Sequence, residues 1–481
     1  MDTIISRIAA WQLTDPDGTA VVADGARLTY AQLWKQANGF AAYLASCEVR
    51  SGDRVLIKAF PTADFVIAVI GCAVLGAVSI PVEKMAGHDA VCDIAGKTGA
   101  SHYVGNTAIP GCGFTELSTA THLAGQFPDT NQFCELPGES ALAVILFTTG
   151  TTGISKGVML SHKALFAACD NNACADELNF DSRYLIAAPL NHASGFRKLL
   201  SCLLSGATAV LLDGFLDVMR FYRTLKAENI NTLVLPPSAL RILLNTSASE
   251  LAKYSSQIKV VHIGAAVLPE ANKERLSKLL PESRLLFGYG STEAGNSTVY
   301  DFSQFPGREN CVGKPNPHTG IFIADEEGNP VTACGEQGRL AISGDTLMDG
   351  YYKDEKLTAQ VMHDGVLYTN DIGYIDREGF VYVLGRTGDV INSGGLKISP
   401  AEVENTVMRY KGISDCACMG IPDKISGEAV KLYIVCEEEP DMIAFRKFLL
   451  DHLEYYKVPT EIEKRKSLPR LPNGKLDRRK L

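Results

Sequence analysis

The chain contains Leu146-Phe-Thr-Thr-Gly-Thr-Thr-Gly-Ile-Ser-Lys-Gly157, a glycine- and threonine-rich segment that follows an apolar run over residues 141–147. Glycines let a backbone turn its N–H groups toward an anion, and threonine hydroxyls add side-chain donors. Lys156 brings a positive charge close to them. This combination suits a polyphosphate, so the segment predicts that the chain handles a nucleotide.

Two common motifs share letters with this segment but differ from it in order. A Walker-type phosphate loop places its lysine directly after a glycine and follows it with Ser or Thr, whereas Lys156 lies between Ser155 and Gly157. Residues 153–157 also match GxSxG, the nucleophile elbow of hydrolases, which needs a strand before the turn and a helix after it. The residues that follow, 158–160, are β-prone instead. A serine hydrolase is therefore kept only as a remote alternative.

Length and composition indicate a globular chain of several domains. It has 481 residues, of which 46% are hydrophobic and 21% charged, and its formal net charge at pH 7 is −9. The acidic balance argues against nucleic acid as the main partner. The 13 cysteines show no CxxC pair and no Cys/His ligand spacing, so we expect reduced thiols and a cytoplasmic location.

One uncharged, mostly apolar run, residues 65–82, is long enough to cross a membrane. Gly76 and Pro81 interrupt it where a helix would turn into a strand. We therefore predict a buried helix over 64–75 and a short strand over 77–80, and no membrane span. The first residues lack the pattern of a signal peptide.

Strand-like and helix-like runs alternate from about residue 140 to residue 290. Strands are predicted over 184–190, 208–212, 232–235, 259–263 and 285–287. Helices are predicted over 161–177, 196–205, 217–228 and 270–280, with Ser161 and Asp217 as N-cap residues. This alternation predicts a mainly parallel sheet with helices on both faces.

The remaining third of the chain changes character. Residues 310–385 combine glycine-rich turns with short β-prone runs, and residues 386–481 mix helices (400–410, 442–453) with strands (416–420, 430–436). We therefore predict an α/β fold in two domains. A large N-terminal domain, 1–385, holds helix-covered mixed or parallel sheets and a β-rich subdomain, and a small mobile α+β domain, 386–481, follows a glycine-rich hinge.

Four further segments follow the threonine-rich loop along the chain. They are Gly288-Tyr-Gly-Ser-Thr-Glu293, Tyr368-Thr-Asn-Asp371, Gly385-Arg386 with Ser393-Gly-Gly395, and Pro472-Asn-Gly-Lys475. In this order and spacing the five segments resemble the adenylate-forming superfamily, which includes acyl-CoA synthetases, adenylation domains of peptide synthetases and beetle luciferases. The resemblance covers nearly the whole chain, from Leu28 to Lys475.

The resemblance implies an AMP-forming acid–CoA ligase. Such an enzyme uses ATP and Mg²⁺ to convert a carboxylic acid into acyl-AMP and pyrophosphate, and then transfers the acyl group to the thiol of coenzyme A. An alternative within the same superfamily loads the acyl group onto the phosphopantetheine of an acyl carrier protein. Because both reactants of the first step are anions, the site has to neutralise charge and hold an in-line geometry.

The resemblance also implies the residues that do this work. The implied ATP-binding residues are Thr148, Thr149, Gly150, Thr151, Thr152, Gly153, Lys156, Gly288, Tyr289, Gly290, Ser291, Thr292, Asp371, Arg386 and Lys475. Catalytic roles are implied for Lys475, Thr292, Glu293 and Lys156, with Glu293 as the Mg²⁺ ligand. Ser393, Gly394 and Gly395 are implied to line the CoA tunnel, and Gly388 to be the hinge.

A segment with His192 at its centre, residues 189–195, matches the wall of the acyl pocket in this superfamily. The implied pocket residues are His192, Ala193, Gly195, Gly264, Ala265 and Gly290. Domains that activate amino acids usually carry an aspartate beside this position, and this chain has none there, so a fatty or aryl acid is expected rather than an α-amino acid. Arg197 and Lys198 either meet a polar far end of the substrate or lie on an exposed helix face.

Overall fold

The computed structural model describes residues 2–105, 109, 114–117, 136–149, 155–264, 266, 268–393, 396–470 and 476–481. The strands are β1 Thr19–Ala23, β2 Ala26–Thr29, β3 Arg54–Lys58, β4 Val78–Val82, β5 His102–Val104, β6 Thr115–Leu117, β7 Leu142–Thr149, β8 Ser155–Ser161, β9 Arg183–Ile186, β10 Thr208–Leu211, β11 Thr232–Leu235, β12 Val260–Ile263, β13 Arg284–Ser291, β14 Gly295–Asp301, β15 Cys311–Pro315, β16 Gly320–Ala324, β17 Gly338–Ser343, β18 Gly350–Tyr351, β19 Met362–His363, β20 Val366–Ile375, β21 Val381–Arg386, β22 Ile391–Ser393, β23 Leu396–Ile398, β24 Ile413–Asp423, β25 Gly427–Cys436 and β26 Glu461–Lys464.

The α-helices lie between these strands. They are α1 Ile4–Thr14, α2 Tyr30–Ser46, α3 Ala63–Leu75, α4 His88–Thr98, α5 His162–Asp176, α6 Ala193–Leu204, α7 Val218–Ala227, α8 Pro237–Thr246, α9 Ala248–Ala252, α10 Glu270–Leu279, α11 Glu355–Val361, α12 Pro400–Met408 and α13 Met442–His452. Two short 3₁₀ helices, Tyr455–Lys457 and Arg478–Lys480, lie near the end of the chain.

The largest sheet has a parallel part with helices on both faces. Its neighbouring strands β13, β12, β11, β9, β10 and β1 pair in parallel. Successive residues of one strand enter different cores: Tyr184 packs into one cluster and Leu185 into the other. A strand that is buried on both faces reads as a continuous apolar run. The predicted parallel, helix-covered sheet is therefore confirmed.

The same sheet continues beyond β13 as an antiparallel region. There β14, β15, β21, β20, β17 and β16 pair one after another, each antiparallel to its neighbour. This region is the β-rich part that the glycine-rich turns of residues 310–385 predict. It brings Asp371 on β20 and Arg386 on β21 to the same large sheet that carries the motif of residues 288–293.

The apolar run of residues 65–82 contributes one helix and one strand to a second sheet region. The strand order of this sheet is β18-β8-β7-β4-β3-β5-β6. The run forms the buried helix α3, which ends at Gly76 in the left-handed conformation with φ of 80°, and then strand β4. The predicted helix-to-strand turn is therefore confirmed. None of the described helices is long and apolar enough to cross a membrane.

A third sheet follows β21. Strands β22 to β26 form it, and α12 and α13 pack on it around a core that includes Val403, Phe445 and Leu449. The small α+β unit that the sequence predicts for the last part of the chain is present. In the described residues ten cysteines are free thiols, but Cys92 is disulfide-bonded, so the expectation of reduced thiols fails at that position.

His162 begins α5 in the interior and makes folding stability depend on pH. It is 4% exposed and lines a small cavity with Phe196 and Leu200. Burial lowers its pKa from 6.5 to about 4. Below pH 6.5 this histidine becomes protonated in the unfolded chain, whereas in the folded chain it stays neutral until about pH 4. Folding stability therefore falls as the pH drops from 6.5 to 4.

We expect this residue to account for up to about 3 kcal/mol of the stability lost between pH 6.5 and 4. The measurement is the free energy of unfolding in urea at several pH values, for the wild type and for His162→Gln. The variant is expected to give a flatter pH profile over this window. Parallel profiles for the two proteins would contradict the assignment.

Candidate functional site

The threonine-rich segment forms the end of a β-hairpin. Strands β7 and β8 pair antiparallel, with Thr148 opposite Lys156 and Thr149 opposite Ser155. The residues between them, Gly150, Thr151, Thr152, Gly153 and Ile154, lie outside the described residues. The chain continues after Ser155 as a strand and not as a helix, so the nucleophile elbow that a serine hydrolase needs is not built at this serine.

A second hairpin carries the motif of residues 288–293. Gly288, Tyr289, Gly290 and Ser291 end β13, and Thr292 and Glu293 follow in the turn to β14. A Cβ atom at Gly290 would lie 1.9 Å from the carbonyl oxygen of Gly295, and one at Gly288 would lie 2.4 Å from Nε2 of His262. These two glycines are therefore required by close packing within the fold.

Tyr351 joins the two hairpins. Its hydroxyl donates to Oε1 of Glu293 over 2.8 Å, and Nζ of Lys156 lies 5.3 Å from the centre of its ring. Burial, and then the charge of Glu293, raise the pKa of Tyr351, so it stays a donor. The sequence did not single out Tyr351. The only signal in the sequence was a tyrosine directly after a glycine, Gly350. In the structure this glycine has a φ of 136°.

Tyr289, Asp371 and Arg386 form a second contact in the same region. The hydroxyl of Tyr289 donates to Oδ2 of Asp371 over 2.7 Å. Nε of Arg386 donates to Oδ1 of the same carboxylate over 3.3 Å, across the β20–β21 pair. Burial, together with the Asp371 charge, raises the pKa of Tyr289 well above its usual value. Three residues from separate motifs thus meet in one place.

Arg197 and Lys198 are both in the interior, each 3% exposed. The expectation of an exposed helix face is therefore wrong. Arg197 donates to the carbonyl oxygens of Ser291 over 3.0 Å and of Thr292 over 2.6 Å. Residues 195–204 of α6 are all buried by neighbouring elements. The sequence alone does not show that other elements pack on the polar side of this helix.

Lys198 belongs to a buried charged cluster that we call the Asp176 cluster: Asp176, Tyr184, Lys198 and His262. Nζ of Lys198 donates to Oδ2 of Asp176 over 2.7 Å, and Nδ1 of His262 lies 2.5 Å from Oδ1. The hydroxyl of Tyr184 donates to the same carboxylate over 2.7 Å. Burial alone raises the pKa of Asp176, but the charges of His262 and Lys198 hold it well below its usual range.

The implied acyl-pocket residues differ in how tightly they pack. His192 is the N-cap residue of α6, and Ala193 begins that helix. A Cβ atom at Gly195 would lie 2.4 Å from the carbonyl oxygen of Pro189, so this glycine has a packing reason of its own. At Gly264 the nearest atom to a Cβ would be 3.4 Å away, an ordinary contact. Ala265 lies outside the described residues.

The predicted hinge and CoA-tunnel residues follow β21. Gly388 is exposed in the turn between β21 and β22, and Ser393 is the last residue of β22, opposite Leu396. Gly394 and Gly395 lie outside the described residues, as does Lys475. Arg470 and Leu476 form an antiparallel bridge that closes the base of the loop carrying Lys475.

One carboxylate joins the base of this loop to the large sheet. Oδ2 of Asp415, on β24, lies 2.5 Å from a guanidinium nitrogen of Arg470 and 3.2 Å from one of Arg241 on α8. Arg470 flanks the loop, whereas α8 packs on the large sheet. The loop base is therefore held against the large sheet through Asp415.

A metal cage made by the protein alone is absent from the part of the chain that the structure describes, where no three His, Cys, Asp or Glu side chains are grouped for a metal ion. Glu293 still fits a Mg²⁺ that is bound mainly by a nucleotide. Only its Oε1 accepts a hydrogen bond from a described residue, so its second oxygen keeps its lone pairs for a cation.

Comparison with known proteins agrees with this geometry. The model of the family AMP-binding enzyme matches residues 8–352, and that of the AMP-binding enzyme C-terminal domain matches residues 402–475. The chain is a member of the adenylate-forming superfamily. Of the five segments that predicted this, two lie within the first match and one closes the second. The resemblance seen in the sequence is therefore confirmed.

Two curated relatives of this AMP-binding enzyme match along almost its whole length. A 3-[(3aS,4S,7aS)-7a-methyl-1,5-dioxo-octahydro-1H-inden-4-yl]propanoyl:CoA ligase of Rhodococcus jostii is 31% identical, over 95% of this chain and 94% of the relative. A feruloyl-CoA synthase of an Amycolatopsis species is 30% identical, over 96% and 94%.

A solved structure shows the same fold. The O-succinylbenzoate coenzyme A synthetase of Bacillus subtilis, in complex with ATP and a magnesium ion, superposes on this AMP-binding enzyme with a TM-score of 0.86. It covers 99% of this chain and 98% of its own, at 24% sequence identity. The predicted α/β architecture with a small C-terminal unit is therefore confirmed.

Proposed function

We propose that this AMP-binding enzyme joins a fatty or aryl carboxylic acid to coenzyme A in two steps. In the first step the carboxylate attacks the α-phosphorus of ATP and pyrophosphate leaves. In the second step the CoA thiol attacks the acyl carbon and AMP leaves. The observation that carries the proposal is that Lys156 and Glu293 both contact Tyr351: Lys156 lies over its ring, and Glu293 accepts a hydrogen bond from its hydroxyl. Two relatives that match over nearly the full chain are named as CoA ligases and support it.

The residues that would bind ATP come from two hairpins and the β20–β21 pair. Thr148, Thr149 and Lys156, together with residues 150–153, would hold the phosphates that leave. The carboxylate of Asp371 would accept hydrogen bonds from the ribose hydroxyls, with Arg386 beside it. Tyr289, anchored through its hydroxyl to Asp371, would offer its ring to adenine.

The residues that would act on the reacting atoms surround the turn at the end of β13. The hydroxyl of Thr292 would donate to the α-phosphate. Glu293, oriented by Tyr351 over 2.8 Å, would hold Mg²⁺, which when bound neutralises phosphate charge. The ammonium of Lys475 would bridge the attacking carboxylate and the α-phosphate. Each of these groups lowers the repulsion between two anionic reactants.

We propose residues 1–385 and 386–481 as the two functional domains, with rotation about Gly388 between the two steps. Arg386 ends the last strand of the large sheet and Ile391 begins the first strand of the small one, which leaves a four-residue turn between them. Rotation there would withdraw Lys475 and bring Ser393, Gly394 and Gly395 toward the pantetheine arm. A carrier protein ends in the same arm as CoA, so it is the second acceptor to test.

The decisive experiment is acid-dependent exchange of labelled pyrophosphate into ATP. The purified protein is given ATP, Mg²⁺ and, one at a time, straight-chain fatty acids, aryl acids and α-amino acids. We expect exchange with fatty or aryl acids and none with amino acids. Added CoA should then yield AMP and a thioester, and a holo-carrier protein serves as the competing acceptor. Absence of exchange with every acid would contradict the proposal.

Gly264 tests the place of the acyl pocket. A Gly264→Ala substitution adds one methyl group where the fold has room, since the nearest atom is 3.4 Å away. We expect an unchanged melting temperature and a selectivity, measured as the ratio of kcat/KM for a bulky aryl acid to that for a short straight-chain acid, that falls about tenfold.

The matched control is Gly195→Ala. There the added atom would lie 2.4 Å from the carbonyl oxygen of Pro189, so we expect a lower melting temperature. If Gly264→Ala left selectivity unchanged, this glycine would not line the acyl pocket.

A further inference from the structure

Arg197 is a buried cation directly behind the turn that carries Thr292 and Glu293. It lies on α6 and makes no ion pair with a described carboxylate, although the charge of Glu293 acts on it from a greater distance. Its Nε is buried and has no hydrogen-bond partner among the described residues. Burial lowers its pKa to about 10, so the guanidinium is charged at neutral pH. A buried charge without a counter-ion is costly, which calls for a compensating anion nearby.

The guanidinium donates hydrogen bonds to two successive peptide units of the turn. It donates to the carbonyl oxygen of Ser291 over 3.0 Å and to that of Thr292 over 2.6 Å. In a trans peptide the N–H points opposite to the C=O. The N–H groups of Thr292 and Glu293 belong to these same two peptide units, so both point away from Arg197. Among the described residues neither of these N–H groups has a backbone or side-chain partner.

A charged donor on a carbonyl oxygen polarises the whole peptide unit. The N–H of the unit becomes a stronger donor on the opposite side. Two adjacent N–H groups that point to one side form a concave site for an anion. The turn therefore has the Arg197 guanidinium on its carbonyl side. The strengthened N–H donors of Thr292 and Glu293 lie on the opposite side.

We propose that Arg197 is a positioning residue for adenylate formation. It holds the turn of residues 291–293 in place from behind and favours the phosphoanion that Thr292 and Glu293 meet in front. This inference rests on the proposed function. It replaces the sequence expectation of an exposed helix face for Arg197, since the guanidinium is buried.

The test compares Arg197→Met and Arg197→Lys with the wild type. The measurements are kcat and KM for Mg-ATP in pyrophosphate exchange, the dissociation constant of Mg-ATP by calorimetry, and thioester formation from supplied acyl-AMP. We expect Arg197→Met to lower kcat for exchange about 10- to 100-fold and to weaken Mg-ATP binding, because two charge-assisted hydrogen bonds are lost. Arg197→Lys keeps the charge and can reach one carbonyl, so it should recover part of both.

The matched control is Lys273→Met, which removes another buried cation, on α10 and paired with Glu270. It should lower the melting temperature and leave kcat and Mg-ATP affinity unchanged. If Arg197→Met folds and keeps kcat and Mg-ATP affinity within threefold of the wild type, the inference is overturned. Should Arg197→Met not fold, Arg197→Lys decides by the same criterion.

The two proposals fail in different ways. If the wild type exchanges pyrophosphate with no acid, the proposed function fails. Mg-ATP calorimetry on the variants then still decides the role of Arg197. If the wild type is active and the variants match it, only the inference about Arg197 fails.

Discussion

A Lys198→Met variant is expected to lose about 3–5 kcal/mol of folding stability. The substitution removes the ammonium that donates to Asp176 over 2.7 Å and leaves that carboxylate in the interior, where its side chain is 0% exposed. The Asp176 cluster then keeps Tyr184 and His262 beside the carboxylate of Asp176 but lacks the ammonium of Lys198. Breaking a buried ion pair from one side costs far more than the pair itself contributes, because the remaining charge stays desolvated.

The measurement is the free energy of unfolding from urea titration. A double variant, Lys198→Met with Asp176→Asn, removes both charges and should recover part of the loss. Lys97→Met breaks an exposed pair with Asp93 and should change stability by less than about 1 kcal/mol. A Lys198→Met variant within 1 kcal/mol of the wild type would contradict the importance of the buried pair.

Acid should narrow the difference between Lys198→Met and the wild type. In the wild type the pKa of Asp176 is held below its usual value, so the stability that this carboxylate contributes is present above its unfolded pKa and is lost as the pH falls below it. In the variant the same carboxylate lacks its cation and takes up a proton at higher pH. Protonation removes the unpaired charge and with it part of the penalty.

A Lys475→Ala variant is expected to lower acid-dependent pyrophosphate exchange by about 10²–10³-fold. The residue would supply the positive charge between two anions in the first step only. Thioester formation from supplied acyl-AMP and CoA should therefore stay within a fewfold of the wild type. The two half-reactions are measured separately on the same preparation, by label exchange and by thioester yield.

The control for this variant is Lys466→Ala, which changes an exposed lysine that precedes the Lys475 loop. It should leave both half-reactions unchanged. Equal losses in the two half-reactions of Lys475→Ala would indicate a general structural defect, and no loss in exchange would remove Lys475 from the first step.

The sequence predicted the elements of the parallel sheet because period and capping signals are local. Strand β11 was predicted with its observed bounds, 232–235. Ser161 and Asp217 are N-cap residues whose side chains accept from the N–H groups of Ala164 and Arg220. Each of these signals needs only a few neighbouring residues, so no knowledge of the fold is required to read it.

Element ends were predicted less well where a distant contact sets them. Helix α6 begins at Ala193, three residues before its predicted start. Gly195 disfavours a helix locally, but its missing side chain lets the helix approach the carbonyl oxygen of Pro189. Tertiary packing therefore overrides helix propensity here.

Contacts in the candidate site could be predicted only between residues that belong to known sequence motifs. The contact of Tyr289 with Asp371 and Arg386 joins residues from three predicted segments. The Asp176 cluster joins side chains from α5, α6, β9 and β12, and no short pattern links Asp176 to His262 across 86 residues. Buried charge pairs depend on which elements pack together, so they become visible only once the fold is known.

We expect the shared carboxylate of Asp415 to make the proposed catalytic cycle sensitive to salt. In the proposed rotation the ion pair of Asp415 with Arg470 would move as part of the small unit, whereas its ion pair with Arg241 would break in every catalytic cycle. Breaking a partly exposed ion pair becomes easier as dissolved ions screen it. Moderate salt should therefore speed the passage between the two half-reactions while weakening the arrangement that serves the first.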